Sequence, residues 1–380
     1  MLIRFREGAM KEHTTDYKKT HFDVLDFLRF FASLSVVFYH YCYYGVLAEK
    51  ISVDSGSLMN ISSYGFLGVD LFFMISGFVI FISALKGDVA AFVISRIGRL
   101  YPGYWICLFM TILVITIFSA SPEWWDAKML LFNMTMLQGV LGVKHVDGVY
   151  WTLAVEIVFY FWIAVLLLFK QIHRFEFIAW LWALLSVFNI YFELPEVIVQ
   201  IFLLNFMHYF LAGAVFYLCY QNGGSVKRAL FLVVSFCLAV LTIFNREHIE
   251  IDNGEYNSYI VITIIAFFYA FFLLISLRFF DRFSFKYSVL LGSLTYPLYL
   301  IHQEIGYILI QNISHWFEGN GAIYVTLTIV LILSFVIAVF VEKPLMKLVR
   351  QKLREIYEKI FDSLNLKRFE RLSSPKEGNE

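Results

Sequence analysis

Ten apolar runs follow one another along the chain, at about 24–44, 65–85, 103–120, 148–169, 176–192, 197–220, 229–244, 258–277, 287–311 and 321–341. A helix needs about 20 apolar residues to cross the hydrocarbon core of a bilayer. Most of the runs meet that length; 176–192 and 229–244 are the shortest. The pattern predicts an all-α integral membrane protein with about ten transmembrane helices. The polar positions between the runs test this count independently. With the N-terminus inside, 25 of the 30 Lys and Arg residues fall in cytoplasmic segments, 4 in outer loops, and Arg29 within the first span. Cytoplasmic loops collect Lys and Arg, and one span missed or invented mid-chain would scramble the split. Both termini are therefore expected to be cytoplasmic. The chain divides into an N-terminal segment, 1–23, a ten-helix membrane domain, 24–341, and a cytoplasmic tail, 342–380.

Two connecting segments carry patterns of their own. The outer loop 121–147 contains AKMLLFNMTMLQGVLG, too short to span and apolar enough to be interfacial or re-entrant. In the tail, Leu345, Leu348, Val349, Leu353, Ile356, Ile360 and Phe361 recur near helical spacing among basic residues, which predicts an amphipathic helix on the inner membrane surface. Residues 1–23 are polar and mixed in charge, without the short apolar core of a cleavable signal peptide.

Composition agrees with a membrane protein: 60% of residues are hydrophobic and 16% charged, against about 25% charged in soluble domains. The net charge of zero argues against a nucleic-acid partner. Cys42, Cys107, Cys219 and Cys237 each sit singly in apolar sequence, without metal-ligand or disulfide spacing, so no metal is expected.

Against this apolar background the buried ionisable residues stand out, since each is expensive to desolvate. In DFLRFFASLSVVFYHYC, at 100° per residue, Ser33, His40 and Arg29 lie about 20°, 40° and 60° from Asp26, all in the same sense. They form one polar stripe with an apolar back. Asp26 and Arg29 are three apart and can pair, while His40 is about 21 Å further along the axis. Glu156 lies about 12 Å below the outer end of its span, and His302 about 20 Å from the inner end of the ninth. His40, Glu156 and His302 thus share the outer half of the bilayer on three helices, a candidate acid–base constellation. The sixth span adds Asn205 and His208. At the inner face Arg96 and Arg99 are three apart, as suits a phosphate or pyrophosphate, although positive-inside topology also produces such pairs. Asp26 with Arg29 equally suits a structural ion pair, and Gly65, Gly68 and Gly77 suit close helix packing.

Taken together in order, these stretches resemble the acyltransferase 3 family, multi-span O-acetyltransferases of bacterial surface glycans. The resemblance covers about residues 22–346. It rests on LDFLRFFASLSVVFYH, GFLGVDLFFMISGFVI, RIGRLYP with its Arg-x-x-Arg pair, WTLAVEIVFYF, LTYPLYLIHQ and VEKP. It implies a multi-pass protein of the bacterial inner membrane that moves an acyl group from cytoplasmic acetyl-coenzyme A to a sugar hydroxyl. The acceptor would be a polysaccharide or a lipid-linked sugar of the envelope. His40 matches the family's catalytic histidine, Arg29 its partner on the first helix, and Arg96 and Arg99 its Arg-x-x-Arg pair, the expected donor-binding residues. Glu156 and His302 match motif positions and join His40 as candidate catalytic residues. The chain departs from the pattern at Phe30, where the family often has glycine. No fused hydrolase-like domain, which some relatives carry, is expected here, so the chain would complete transfer alone or hand over to a separate acyl-accepting or glycan-assembly partner. Two other classes compete: a transporter or flippase for a glycan or lipid-linked intermediate, and a structural subunit whose buried charges only hold helices together.

Overall fold

The computed structural model describes residues 21–53, 55–118, 125–244 and 256–373, and all regular structure among them is helical. The long helices are α1 (Asp23–Tyr39), α2 (Gly68–Ala84), α3 (Val89–Phe118), α4 (Trp151–Leu168), α5 (Phe175–Phe192), α6 (Met207–Asn222), α7 (Val226–Ile243), α8 (Ser258–Ser276), α9 (Ser288–Ile301), α10 (Glu304–Ile313), α11 (Gly321–Val336) and α12 (Lys343–Ser373). Among the described residues, nine helical runs are long and apolar enough to cross a membrane. The remaining expected span, 287–311, is present in two pieces, because α9 ends at Ile301 and α10 begins at Glu304. Asp147 caps the second piece: its Oδ2 accepts from the Glu304 N–H at 3.1 Å while Oδ1 accepts from Val149 N–H at 3.1 Å. One buried carboxylate thus closes the starts of α10 and of the turn that leads into α4.

The core is built where small residues let backbones meet. A Cβ on Gly77 would lie 1.9 Å from the Phe210 carbonyl oxygen, and one on Gly213 2.0 Å from that of Met74. Helices α2 and α6 therefore cross in backbone contact, the usual route to tight packing where lipid offers no hydrophobic contrast. Gly65 and Gly68 likewise press on the α1 backbone at Ser35 and Ala32. Helix α1 packs between α2 and α9, and α6 is flanked by α7 and α8. Helices α5 and α7 lie on the periphery, turning Phe177, Leu181, Leu184, Leu230, Val233 and Leu241 outward as a lipid-facing surface requires.

Two ends of the bundle can be told apart. At one, Asp23 accepts from Ser288 Oγ and the Phe285 N–H, Arg278 donates to Tyr220 O, and Arg228 pairs with Glu176 at 2.6 Å. At the other, Gln311 donates to Lys50 O and Tyr64 accepts from the Asn257 N–H. We call these the basic end and the far end. From the far end, segment 125–147 runs back into the bundle. Tyr104 donates to Asn133 O and Trp105 to Met134 O, at a level about 20 Å along α3 from Phe118. The buried Asn133 side chain ties this loop together, donating to Met129 O and Lys144 O and accepting from Val146 N–H. At the basic end α11 runs through a π-helical turn, Ile337–Glu342, directly into α12. The first turns of α12 pack antiparallel along the beginning of α3.

Candidate active site

Helix α1 carries its polar stripe from one end of the bundle into a pair of cavities. At the basic end, Arg29 Nη1 lies 3.8 Å from Asp26 Oδ1, and His21 Nε2 lies 2.8 Å from the other Asp26 oxygen. Beyond this loose pair opens a cavity of about 310 Å³ lined by Arg29, Arg96, Arg99, Glu156 and Arg350, with Ser76, Tyr160 and Tyr299 among its other walls. Arg96 stands over the rings of Phe92 and Tyr160, at 5.7 and 5.8 Å. Among the described residues, neither Arg96 nor Arg99 has a carboxylate within ion-pair distance. The buried Arg96 Nε–H has no hydrogen-bond partner there.

The second cavity, about 160 Å³, lies toward the far end and is lined by His40, Gln303 and the aromatic rings of Tyr39, Tyr44, Phe66, Trp151 and Tyr299. Val69 and Tyr299 line both cavities and so form the partition between them. Tyr299 is held in place by a 2.9 Å hydrogen bond from Thr152.

His40 and His302, separated by 262 positions in sequence, meet here, with Nδ1 of His40 2.9 Å from Nε2 of His302. Local backbone irregularities place both rings. His40 opens a π-helical turn, His40–Tyr44, which re-aims the end of α1, and such turns recur at functional sites. His302 sits at the break between α9 and α10, where its carbonyl accepts from Tyr41 OH at 2.7 Å. The hydrogen-bond network also assigns the tautomers. Nδ1 of His302 lies 2.8 Å from Tyr299 O and 3.2 Å from Leu298 O. Carbonyl oxygens only accept, so this nitrogen carries the ring proton. Nε2 of His302 is then the acceptor, and His40 donates to it from Nδ1. That leaves Nε2 of His40 with its lone pair, on a ring that lines the aromatic cavity. A nucleophile or base oriented by a second fixed group is the arrangement that general-base chemistry uses.

Glu156 does not join the histidines. Its Oε1 accepts from Ser76 Oγ at 2.8 Å and Tyr160 OH at 2.5 Å, and its side chain lines the arginine cavity. The expected constellation of His40, Glu156 and His302 is corrected on this point: helix geometry turned the carboxylate toward the guanidiniums, where it offsets positive charge. His208 is also elsewhere, its Nε2 3.3 Å from Thr242. Several site residues escaped the sequence reading. Tyr160 follows Glu156 by four, a helical spacing that could have flagged it. Tyr299 and Gln303 lie within LTYPLYLIHQ without a role of their own there, and Arg350 carried no local signal.

The described residues thus form a multi-span helical membrane protein with a buried histidine pair beside a basic cavity. The chain matches the acyltransferase domain family, acyltransferase 3, over residues 22–341, and belongs to it. Nodulation protein 10 of Rhizobium leguminosarum bv. viciae is 25% identical over 181 residues, covering 42% of this chain and 47% of that protein. This match spans about half the length of that relative. No solved structure matches the chain.

Proposed function

We propose that the protein is an O-acetyltransferase that binds acetyl-coenzyme A through the arginine cavity and acylates a sugar hydroxyl in the aromatic cavity. The observation that carries this reading is the contact of the two cavities at Val69 and Tyr299, with phosphate-binding chemistry on one side and a histidine base on the other. Guanidiniums bind phosphate oxygens through charge-assisted, often bidentate hydrogen bonds, which suits Arg96, Arg99 and Arg29 to the nucleotide head of the donor. An extended pantetheine arm of about 20 Å, from bond lengths, matches the rise of α1 from its basic end to His40. The thioester would pass the Tyr299 partition and stop beside the histidines.

Aromatic walls with a few polar groups form a pocket suited to a sugar ring, whose apolar C–H face packs on such rings. Nε2 of His40 takes the proton of the acceptor hydroxyl as its oxygen attacks the thioester carbonyl. The tetrahedral adduct collapses with cleavage of the C–S bond, and the thiolate leaves, taking the proton back from His40 to give free coenzyme A. His302 keeps His40 in the correct tautomer throughout. The basic end would face the cytoplasm of a bacterial inner membrane, where the donor is made. The acceptor, a polysaccharide or lipid-linked sugar of the envelope, would enter from the far end.

The test is transfer from labelled acetyl-coenzyme A to surface glycans by the protein in lipid, with the acylated position read by mass spectrometry. Acetyl esters that depend on His40 support the reading. A transporter would move its cargo without turnover of the thioester, and glycans that are unchanged when the protein is removed would overturn the proposal.

A further inference from the structure

Arg350 belongs to the tail helix α12, outside the stretch the family match covers, yet it lines the arginine cavity beside Arg29, Arg96 and Arg99. Its neighbours on the tail behave differently. Lys343, Lys347, Lys352, Arg354 and Lys359 are exposed, whereas Arg350 is half-buried against α3. The contact is shaped for it. A Cβ on Gly98, between Arg96 and Arg99, would lie 2.3 Å from Arg350 Cγ and 3.2 Å from its Nε. The side chain therefore lies across a position that any larger residue would fill.

Electrostatics argue against a purely structural role. Arg96 and Arg99 act on Arg350 as like charges, and among the described residues no carboxylate pairs with it. Its protein contact is a long 3.4 Å bond from Nη2 to Ser95 O, and its buried Nε–H has no partner. Arg96 Nε–H is orphaned in the same way. Buried polar groups are ordinarily satisfied. Two guanidiniums that line one cavity thus keep donors the protein leaves unpaired, in a cluster of like charges.

We propose that Arg350 is a phosphate ligand of the acyl donor, so that the tail helix forms one wall of the donor site. This rests on the donor reading above. An anion bridging Arg350 and the Arg96–Arg99 pair would reinforce the packing of α12 on α3 that the structure already shows.

The experiment measures binding of coenzyme A and of adenosine 3′,5′-bisphosphate to the full chain in lipid nanodiscs, together with the KM and kcat for acetyl-coenzyme A. Arg350→Gln is expected to weaken both ligands and raise KM about tenfold, the effect of one charge-assisted hydrogen bond. The kcat at saturating donor should be retained, and Arg350→Lys should recover part of the affinity. Gly98→Leu, which displaces the Arg350 side chain while keeping every guanidinium, should reproduce the defect. If Arg96→Gln and Arg99→Gln weaken coenzyme A while Arg350→Gln leaves it within twofold of the parent, this inference falls and the donor reading stands. If none of the three variants alters affinity, the donor reading falls as well. A loss of kcat at unchanged KM in Arg350→Gln, or a loss of anionic-lipid binding with coenzyme A affinity unchanged, also overturns the proposal.

Discussion

The arginine cavity and the histidine cavity share a wall but are built by opposite rules. The first gathers long, flexible cationic side chains from α1, α3 and α12, and Glu156 is the carboxylate that lines it with them. Its guanidiniums hold weak or no ion pairs among the described residues. The second is small, aromatic, and fixed by hydrogen bonds of 2.7–2.9 Å around the two histidines. Capture of a polyanion depends on summed charge and tolerates movement of an ångström. Proton transfer does not, because it needs heavy atoms about 2.6–3.2 Å apart. The difference teaches that one chain can hold an adaptable binding region against a rigid reactive one, provided the partition between them is itself pinned, as Thr152 pins Tyr299.

The largest effect is expected at His40. His40→Ala should lower kcat about 10²- to 10⁴-fold, the usual contribution of a general base, with coenzyme A affinity unchanged. Full transfer by this variant in the labelled-acetyl assay would remove the histidine cavity from the chemistry. His302→Ala should cost less, about a hundredfold in kcat, because a misplaced base still reacts occasionally. Its pH–rate profile should also shift, since the proton on His40 is no longer directed to Nδ1. The arginine cavity should respond in the other parameter. Arg96→Gln with Arg99→Gln should raise the KM for acetyl-coenzyme A at least tenfold, by about 1.5–3 kcal/mol per charged hydrogen bond, with a smaller change in kcat. Salt should weaken donor binding to the parent more steeply than to this variant. The smallest effect is expected at Asp147, whose carboxylate caps two helix starts. Asp147→Ala should lower stability by roughly 1 kcal/mol per lost cap, read as a lower melting temperature, with a modest fall in kcat as His302 loosens.

Much of the fold was legible in the chain. Run lengths near the bilayer thickness and period-3.6 spacing are local properties, so the spans and the stripe on α1 could be read from neighbouring residues. The glycines of GFLGVDLFFMISGF were legible as packing sites for the same reason, and Gly77 meets the α6 backbone. The ninth span was not legible in detail. LTYPLYLIHQEIGY reads as one apolar run, but Asp147, far away in sequence, caps a second helix start inside it.

The candidate site was legible in parts and not in its grouping. Depth along a helix follows from counting residues, but azimuth and tilt come from packing, so equal depths misgrouped Glu156 with the histidines. Arg350 was hidden among ten basic residues of the tail that topology alone accounts for. Only docking of α12 on Gly98 separates it from the rest.

A many-helix membrane protein with costly charges inside its spans follows from the order of residues, because hydrophobic length and helical period act over neighbouring positions. Tertiary structure alone decided which charges share a cavity. It brought His40 to His302 across 262 positions and Glu156 to the arginines. Contacts of that kind depend on how helices cross, and no residue's immediate neighbours carry that information.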